Sequence, residues 1–286
     1  MNNKSIVFGI IILFLLSNSI SYVSSCNTSI NKTIYVDDDG GADYTRIQDA
    51  IDNASDGDTV FVYSGFYMEK IIINKSLDII GENRDTTIIE LKNKIDEEDT
   101  VYIYSNYVNL SGFKIQNSPR CGIFLASSFV NIKDNILINN THSIHFYLTN
   151  SQVKISNNQI SNNYCGIYLV SCSNDNISGN NISNNDFGIR VSFSSNNSIY
   201  NNNIQSNNKY GLILHQRSMN NKIMRNNFID NTKNAYFILF SHKNDWNENY
   251  WGISDIDEYR IVGCFGLIFP IFFNFDWNPS NEPYDI

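Results

Sequence analysis

Hydrophobic and polar residues alternate with a period of two over most of this chain, in short runs that recur about every 22 residues. From Tyr107 to Phe240 the pattern apolar-x-x-Asn-x-apolar is repeated about six times, each time followed by a polar pair, a small residue and a second alternating run. The copies begin at Leu110, Ile132, Ile155, Ile177, Ile199 and Ile223. Such a period indicates stacked repeats, and alternation with period two is typical of strands. The pattern predicts a repetitive all-β protein.

Asn and Gly interrupt the apolar runs at fixed positions of the repeat. One polar column contains Asn135, Asn158, Asn180, Asn202 and Asn226, and a second contains Asn140, Asn163, Asn185, Asn207 and Asn231. Asn tolerates the left-handed backbone conformation and Gly adopts it freely, so both favour corners between strands. Three short strands and three corners close one turn of a solenoid. We therefore predict a single-stranded, right-handed parallel β-helix of about eight coils, with Asn amides hydrogen-bonded along the corners.

Leucine-rich repeats have a similar length and are the alternative solenoid. They require a Leu-rich consensus and a helical or 3₁₀ return segment. No copy of this repeat contains a helix-length apolar stripe. The parallel β-helix is therefore the favoured fold.

Residues 1–25 have the pattern of an export signal. Lys4 supplies positive charge, Ile6 to Leu16 is an apolar run of 11 residues, and Ser-rich sequence follows. A bilayer span needs about 20 apolar residues, so this run is too short to be one. Val23 to Cys26 also resembles a lipobox, in which Cys26 would carry a lipid anchor; ordinary cleavage nearby is the favoured alternative. We predict a secreted or cell-surface protein with no membrane span in the mature chain.

The N-terminal segment 26–59 predicts a strand and a capping helix that covers the open end of the solenoid. The apolar residues spaced as on one helix face are Ile47, Ala50, Ile51 and Ala54. Asp43 or Thr45 is expected to cap the start of this helix. We assign residues 60–240 to the coils and the aromatic-rich residues 241–286 to a C-terminal cap.

Composition narrows the range of partners. The net charge of -9 and the isoelectric point near 4.8 argue against nucleic acid as a partner, because such proteins present a basic face. The chain has five cysteines. Cys121 and Cys165 fall two coils apart in one column, roughly 9 to 10 Å, which is too far for a disulfide. We predict free thiols and a monomer.

Several motifs near the N-terminus resemble the opening of pectin-lyase-like right-handed β-helix proteins. They are Tyr35 to Asp38, Tyr44 to Ile51, Gly57 to Val62, Gly65 to Glu69 and Leu77 to Glu82. The later repeats resemble the NosD-type family of carbohydrate-binding and sugar-hydrolase β-helix proteins, and the resemblance covers about residues 33 to 286. The catalytic segments of pectin methylesterases and polygalacturonases have no counterpart in this sequence. The resemblance therefore implies the fold and leaves the chemistry open.

The outward positions of the second apolar run mix aromatic rings with basic residues. Successive coils place Phe124, His145, Tyr168, Arg190, Ile213 and Phe237 at one outward position, with His215 in the neighbouring column. Aromatic rings stack on sugars and Arg binds carboxylates, so we predict that Phe124, His145, Tyr168, Arg190 and His215 bind a polysaccharide or cell-envelope glycan. The alternative is a face packed by a loop or by the tail.

The sequence favours a non-catalytic protein. A lyase needs a base beside a uronate and carboxylates that hold calcium, and a hydrolase needs two facing carboxylates. The acids near the coils, Asp134, Asp175, Asp186 and Asp230, occupy different columns. A polysaccharide-binding or structural envelope protein is therefore the leading prediction, and a polysaccharide lyase, hydrolase or epimerase is the alternative.

The resemblance to NosD, which is associated with maturation of a copper enzyme, raises a third hypothesis of copper handling. Cys121, His142 and Cys165 fall in one column of consecutive coils and form an N/S set of the kind that binds copper or zinc. A structural His flanked by inert thiols is the favoured alternative. We predict no firm cofactor: calcium or copper is compatible with the chain but not supported by it.

Overall fold

A computed structural model describes residues 31–91, 98–147, 152–264 and 272–286 of the chain. The predicted export signal and Cys26 lie outside these described residues. Residues Lys32–Ile286 form one compact unit. None of the helices within the described ranges is long and apolar enough to cross a membrane.

The described residues contain one α-helix, α1 (Ile47–Asn53), and 28 strands. In chain order the strands are β1 (Thr33–Val36), β2 (Thr59–Val62), β3 (Gly65–Met68), β4 (Ile71–Ile73), β5 (Asp78–Gly81), β6 (Thr87–Glu90), β7 (Val101–Ile103), β8 (Asn109–Ser111), β9 (Lys114–Gln116), β10 (Cys121–Leu125), β11 (Asn131–Lys133), β12 (Ile136–Ile138), β13 (His142–Tyr147), β14 (Lys154–Ser156), β15 (Gln159–Ser161), β16 (Cys165–Val170), β17 (Asn176–Ser178), β18 (Asn181–Ser183), β19 (Phe187–Ser192), β20 (Ser198–Tyr200), β21 (Asn203–Gln205), β22 (Tyr210–His215), β23 (Lys222–Met224), β24 (Asn227–Ile229), β25 (Ala235–Ile238), β26 (Asp245–Asn247), β27 (Tyr259–Cys264) and β28 (Phe272–Asp276).

These strands stack into three parallel ladders, one for each side of the coil. Ladder 1 contains β1, β2, β5, β8, β11, β14, β17, β20, β23 and β26. Ladder 2 contains β3, β6, β9, β12, β15, β18, β21 and β24. Ladder 3 contains β4, β7, β10, β13, β16, β19, β22 and β25. This is the predicted right-handed parallel β-helix, and it has about 10 turns rather than about eight because β1 and β26 extend ladder 1 at both ends.

The core is a set of aliphatic columns inside the coils. In ladder 3 the inward residues Ile123, Ile144, Ile167, Ile189 and Leu212 are all 0% exposed. Each lies in register with its neighbour in the next coil. Removing this apolar surface from water stabilises the fold by about 25 cal/mol per Å².

The Asn columns form buried hydrogen-bond ladders at the corners, as predicted. Asn180 shows the pattern: its backbone N–H and its side-chain Nδ2 donate to Asn202 Oδ1 at 3.1 and 2.9 Å, and Nδ2 also donates to the Ile155 carbonyl at 2.9 Å. The residue before each ladder Asn supplies the bend; Asn201, for example, has φ of 52°. A third ladder that the sequence analysis missed contains Asp175, Asn197, Asn221 and Asn244.

Helix α1 covers the first coils, but its cap differs from the prediction. The helix begins at Ile47, and neither Asp43 nor Thr45 caps it, since its N-cap residue makes no side-chain cap hydrogen bond. Instead, the Glu69 carboxylate accepts hydrogen bonds from the N–H groups of Ile47 and Gln48 at 2.8 and 3.1 Å. The motif from Gly65 to Glu69 therefore has a structural role, because the Glu69 carboxylate accepts from backbone N–H groups that have no partner within the helix.

The register of the last repeat differs from the prediction by one residue. Tyr236 pairs with Ile213 and points outward, whereas Phe237 pairs with Leu214 and is 2% exposed. The cause is a shorter corner. Leu212 lies five residues after Asn207, whereas its pairing partner Ala235 lies only four residues after Asn231. A shift of one residue moves a side chain to the opposite face of a strand. The assignment of Phe237 to the outward column was therefore wrong.

The described C-terminal strands pair with the last coils. Strand β26 continues ladder 1, with Trp246 in register with Ile223, and β27 and β28 form an antiparallel pair. The buried carboxylate of Asp276 ends one Asn ladder by accepting hydrogen bonds from Asn249 at 3.0 Å and from Trp251 Nε1 at 3.1 Å. Trp251 packs between Phe228 and Tyr259, with ring centroids 4.6 and 4.0 Å away.

Candidate functional site

The five predicted ligand-binding residues lie together on the outward side of ladder 3. Strand pairing places Phe124, His145, Tyr168 and Arg190 in register in four successive coils. His215 lies on the next strand, two positions beyond the partner of Arg190. We call this surface the outer face and the first four residues the ring column. Parallel stacking brings equivalent residues about 4.8 Å apart, so the ring column runs across the coils.

The rings of this column pack on one another. The rings of His145 and Tyr168 are stacked with centroids 4.8 Å apart and an interplanar angle of 18°. The Arg190 guanidinium carbon lies 4.8 Å from the Tyr168 ring centroid, on the side of the following coil. Because both neighbours of Tyr168 cover its ring, a ligand meets the polar edges of the column and not the face of Tyr168. This corrects the expectation that Tyr168 provides a free stacking surface for a sugar.

A second outward column borders the first. It consists of Cys121, His142, Cys165, Phe187 and Tyr210. The Phe187 ring lies 5.8 Å from the Arg190 guanidinium carbon and 5.2 Å from Lys209 Nζ. Lys209 also forms an ion pair with Asp186 at 3.0 Å. The outer face therefore combines aromatic rings with cations that the rings hold in place.

All three histidines of the outer face have lowered pKa values and are neutral at pH 7, and for His215 the main cause is burial. Burial lowers the pKa of His145 to about 4, and His142 and Arg120 add to this effect. Burial and the Arg190 charge also lower the pKa of His142. Within the described residues, His142 Nδ1 and His145 Nε2 are buried without a hydrogen-bond partner. The imidazoles retain unused hydrogen-bonding capacity beside Arg190 and Tyr168.

The lowered pKa of His145 predicts that the protein loses stability in acid. The unfolded chain binds this proton below about pH 6.5, whereas the folded protein binds it only near pH 4. Because the unfolded state carries more protons between these values, stability falls as the pH is lowered through this window. Thermal unfolding between pH 7 and pH 4 measures the effect, and His145→Gln should reduce the slope. An equal slope in the variant would assign the effect to other groups.

Sequence comparison places the repeats in a known family. The family described as periplasmic copper-binding protein (NosD) matches residues 51–264. The chain belongs to the NosD family. No curated protein is similar enough in sequence to match it.

The fold of this NosD protein is similar to solved structures of sugar-related proteins. XylC in complex with xylose has a TM-score of 0.65 at 12% identity, with 82% of this chain and 67% of that chain covered. Pectate lyase Pel9A has a TM-score of 0.53 at 14% identity, with 79% and 71% covered. The pectin methylesterase from Yersinia enterocolitica has a TM-score of 0.50 at 13% identity, with 74% and 92% covered. At these identities the likeness shows the fold alone.

The copper named in the NosD description does not fit the predicted set Cys121, His142 and Cys165. Burial raises the pKa of the Cys165 thiol to about 12, and burial with the nearby Asp99 charge raises the pKa of Cys121, so both thiols are protonated at pH 7. Cys165 Sγ donates to the Ile167 carbonyl at 3.7 Å. No group of three or more His, Cys, Asp or Glu side chains in the described ranges is placed to hold a metal ion.

Basic residues beside the outer face were missed by the sequence analysis. At its C-terminal end a groove of about 340 Å³ is lined by residues that include Lys233, Tyr236, Tyr259 and Arg260. Lys233 Nζ lies 5.1 Å from the Tyr236 ring centroid. The sequence did contain a sign of these basic residues: Lys209 and Lys233 occupy equivalent repeat positions, two residues after Asn207 and Asn231. The outer face of this NosD protein is thus more basic than the ring column alone indicated.

Proposed function

We propose that the protein is an exported, non-catalytic β-helix that binds an acidic polysaccharide across the outer face. The observation that carries the proposal is Arg190. Its guanidinium lies against the Tyr168 and Phe187 rings, and it forms no ion pair within the described part of the chain. In a protein of net charge -9, a cation held by rings and left without a carboxylate is prepared for an anionic ligand.

The edges of the outer face suit a carbohydrate ligand. Tyr168 offers a hydroxyl group for sugar hydroxyls, and Arg190 offers a fork of N–H donors for a uronate carboxylate. The ring column crosses several coils, which supports binding of a chain rather than of a single sugar. Two proteins that share the fold are described with carbohydrates: XylC in complex with xylose, and Pel9A as a pectate lyase. We extend that class of ligand to this protein.

The absence of catalysis is proposed from the acids beside the outer face. Asp99 pairs with Arg120 at 3.1 Å, and Asp186 pairs with Lys209 at 3.0 Å. Each carboxylate is thus already engaged, whereas glycoside hydrolysis needs two carboxylates that face the scissile bond. An export signal at residues 1–25 and the word periplasmic in the family description support a location outside the cytoplasm.

A second candidate is a polysaccharide lyase or epimerase. The observation that favours it is the pair of neutral histidines, His142 and His145, whose buried nitrogens lack partners in the described residues. A neutral imidazole is the protonation state that acts as a base, but these nitrogens are buried, so proton abstraction from a uronate held by Arg190 requires a ring rotation that exposes one of them. Incubation with oligouronates decides between the candidates: an unsaturated or epimerised product would establish the enzyme, and unchanged bound ligand would support the binding protein.

Arg190→Ala tests the proposal through affinity. Loss of the charged hydrogen bonds should weaken binding of an oligouronate by about 1.5 to 3 kcal/mol and leave neutral oligosaccharides nearly unaffected. Isothermal titration calorimetry measures both. The matched control is Arg225→Ala, because Arg225 is exposed and lies on another side of the coil, in an ion pair with Glu248 at 2.6 Å. Equal losses in the two variants would indicate a general effect of charge and would contradict the assignment to Arg190.

A further inference from the structure

Two exposed aromatic residues occupy the same corner of successive coils, between ladder 3 and ladder 1. Tyr107 and Phe129 each precede a ladder 1 strand by two residues and each have φ of 58°. Their rings are stacked, with centroids 4.9 Å apart and an interplanar angle of 16°. They remain 62% and 40% exposed. We call them the corner pair.

The fold does not require aromatic residues at this corner. The following coils make the same left-handed bend with Gln152, Asn174, Asn196 and Asn220. Asn tolerates this conformation, whereas a bulky aromatic residue is disfavoured in it. The chain thus has aromatic residues, which are disfavoured in the left-handed conformation, at two successive corners, although later coils make the same corner with Asn or Gln. Backbone strain of this kind is characteristic of functional positions.

A groove of about 250 Å³ lies beside the corner pair. It is lined by Asn109, Phe129, Val130, Asn131, Gln152 and Lys154. Phe129 forms an aromatic wall of the groove, and Tyr107 supports Phe129 from the preceding coil. The side-chain amides and the Lys154 ammonium supply hydrogen-bond groups around the ring, and no carboxylate lines the groove. The volume is slightly below the roughly 300 to 1,000 Å³ of small-molecule sites, which suits one sugar ring.

We propose that the corner pair and this groove form a subsite for one neutral pyranose unit. The apolar side of the sugar packs on Phe129, and its hydroxyls bond to the amides of Asn131 and Gln152. The site uses no residue of the outer face, so it does not rest on the function proposed above. A free ring wall with neutral amides differs chemically from the outer face, where neighbouring rings cover Tyr168 and Arg190 supplies the charge.

The test uses the double variant Tyr107→Asn with Phe129→Asn. Saturation-transfer NMR with cellotriose, mannotriose and triacetylchitotriose measures binding, and thermal unfolding measures stability. We expect at least one of these neutral trisaccharides to bind the protein and to lose about tenfold in affinity in the double variant. The melting temperature should stay the same or rise, because Asn suits the left-handed corner better. Arg225→Ala, at an exposed position that does not line the groove, should keep the neutral affinity.

Phe193→Asn is the matched control. Phe193 is also an exposed aromatic residue, at 52%, with φ of 50°, but it does not line this groove. Its replacement should leave trisaccharide binding unchanged. Two binding results overturn the proposal: no neutral trisaccharide binds the parent protein, or the double variant binds as well as the parent. Two further results also overturn it: the melting temperature of the double variant falls, or the parent is a dimer and the double variant is a monomer. A fall in melting temperature would assign the corner pair to folding, and loss of a dimer would assign it to self-association.

Discussion

Ile189→Asp is expected to abolish cooperative folding of the solenoid. Ile189 is 0% exposed and pairs with Ile167 and Leu212 in the adjacent coils. An aspartate at this position loses the packing of a core Ile, which costs about 2 to 5 kcal/mol, and buries a carboxylate with no partner, which costs about 3 to 5 kcal/mol more. The sum equals much of the roughly 5 to 15 kcal/mol of a typical domain. Circular dichroism and thermal unfolding measure the loss.

Arg190→Ala, one residue along, is the control for this prediction. Arg190 is half-buried on the outer face, and its contacts there are with ring faces. Removing it should cost about 1 kcal/mol or less of stability. A loss as large as that of Ile189→Asp would contradict the description of the outer face as a surface, because it would mean that Arg190 belongs to the packing of the fold.

Asn202→Ala is expected to destabilise the protein by about 4 kcal/mol. Asn202 Oδ1 accepts from the backbone N–H and the Nδ2 of Asn180, at 3.1 and 2.9 Å, and its own Nδ2 donates to the Ile177 carbonyl at 2.9 Å and to Asn226 Oδ1 at 3.0 Å. Alanine leaves several of these buried groups without partners, and each such group costs about 1 to 3 kcal/mol. Denaturant unfolding measures the change.

Asn181→Ala is the matched control for the buried ladder. Asn181 is exposed on ladder 2, and its side chain accepts one long hydrogen bond, 3.5 Å, from Asn203 Nδ2. Its replacement should change stability by about 0.5 kcal/mol or less. If both variants lose the same stability, the Asn ladder does not hold the corners, and the aliphatic columns alone would account for the fold.

Most of the fold could be predicted because a single repeat pattern determines which residues stack on one another in every coil. The period placed Asn180 and Asn202 in one buried ladder and predicted the inward position of Ile189. Departures from the period were not visible in the pattern. The corner before Ala235 is one residue shorter, which reversed Phe237. The α1 cap comes from Glu69, which follows β3 and is 22 residues from Ile47 in the sequence. The corner length is fixed only by the strand pairing, and the cap depends on a three-dimensional contact that the spacing does not contain.

The candidate site was predicted in its position but not in its contacts. Parallel register alone brings His145, Tyr168 and Arg190 together, so strand spacing was sufficient for that step. Ring orientation depends on side-chain rotamers, which the alternation does not specify. The covered faces of Tyr168 and the approach of Lys209 to Phe187 therefore emerged only in the structure.

Covalent footprinting with and without a bound oligouronate tests the central claim most directly, that the outer face is the polysaccharide-binding surface. Reagents that modify arginine and tyrosine side chains report protection residue by residue. We expect the ligand to protect Arg190 and Tyr210, which lie on adjacent strands of that face, and to leave Arg225 and Tyr284 unchanged. Failure of the oligouronate to bind, or protection confined to Arg225, Tyr284 or other residues away from the outer face, would contradict it.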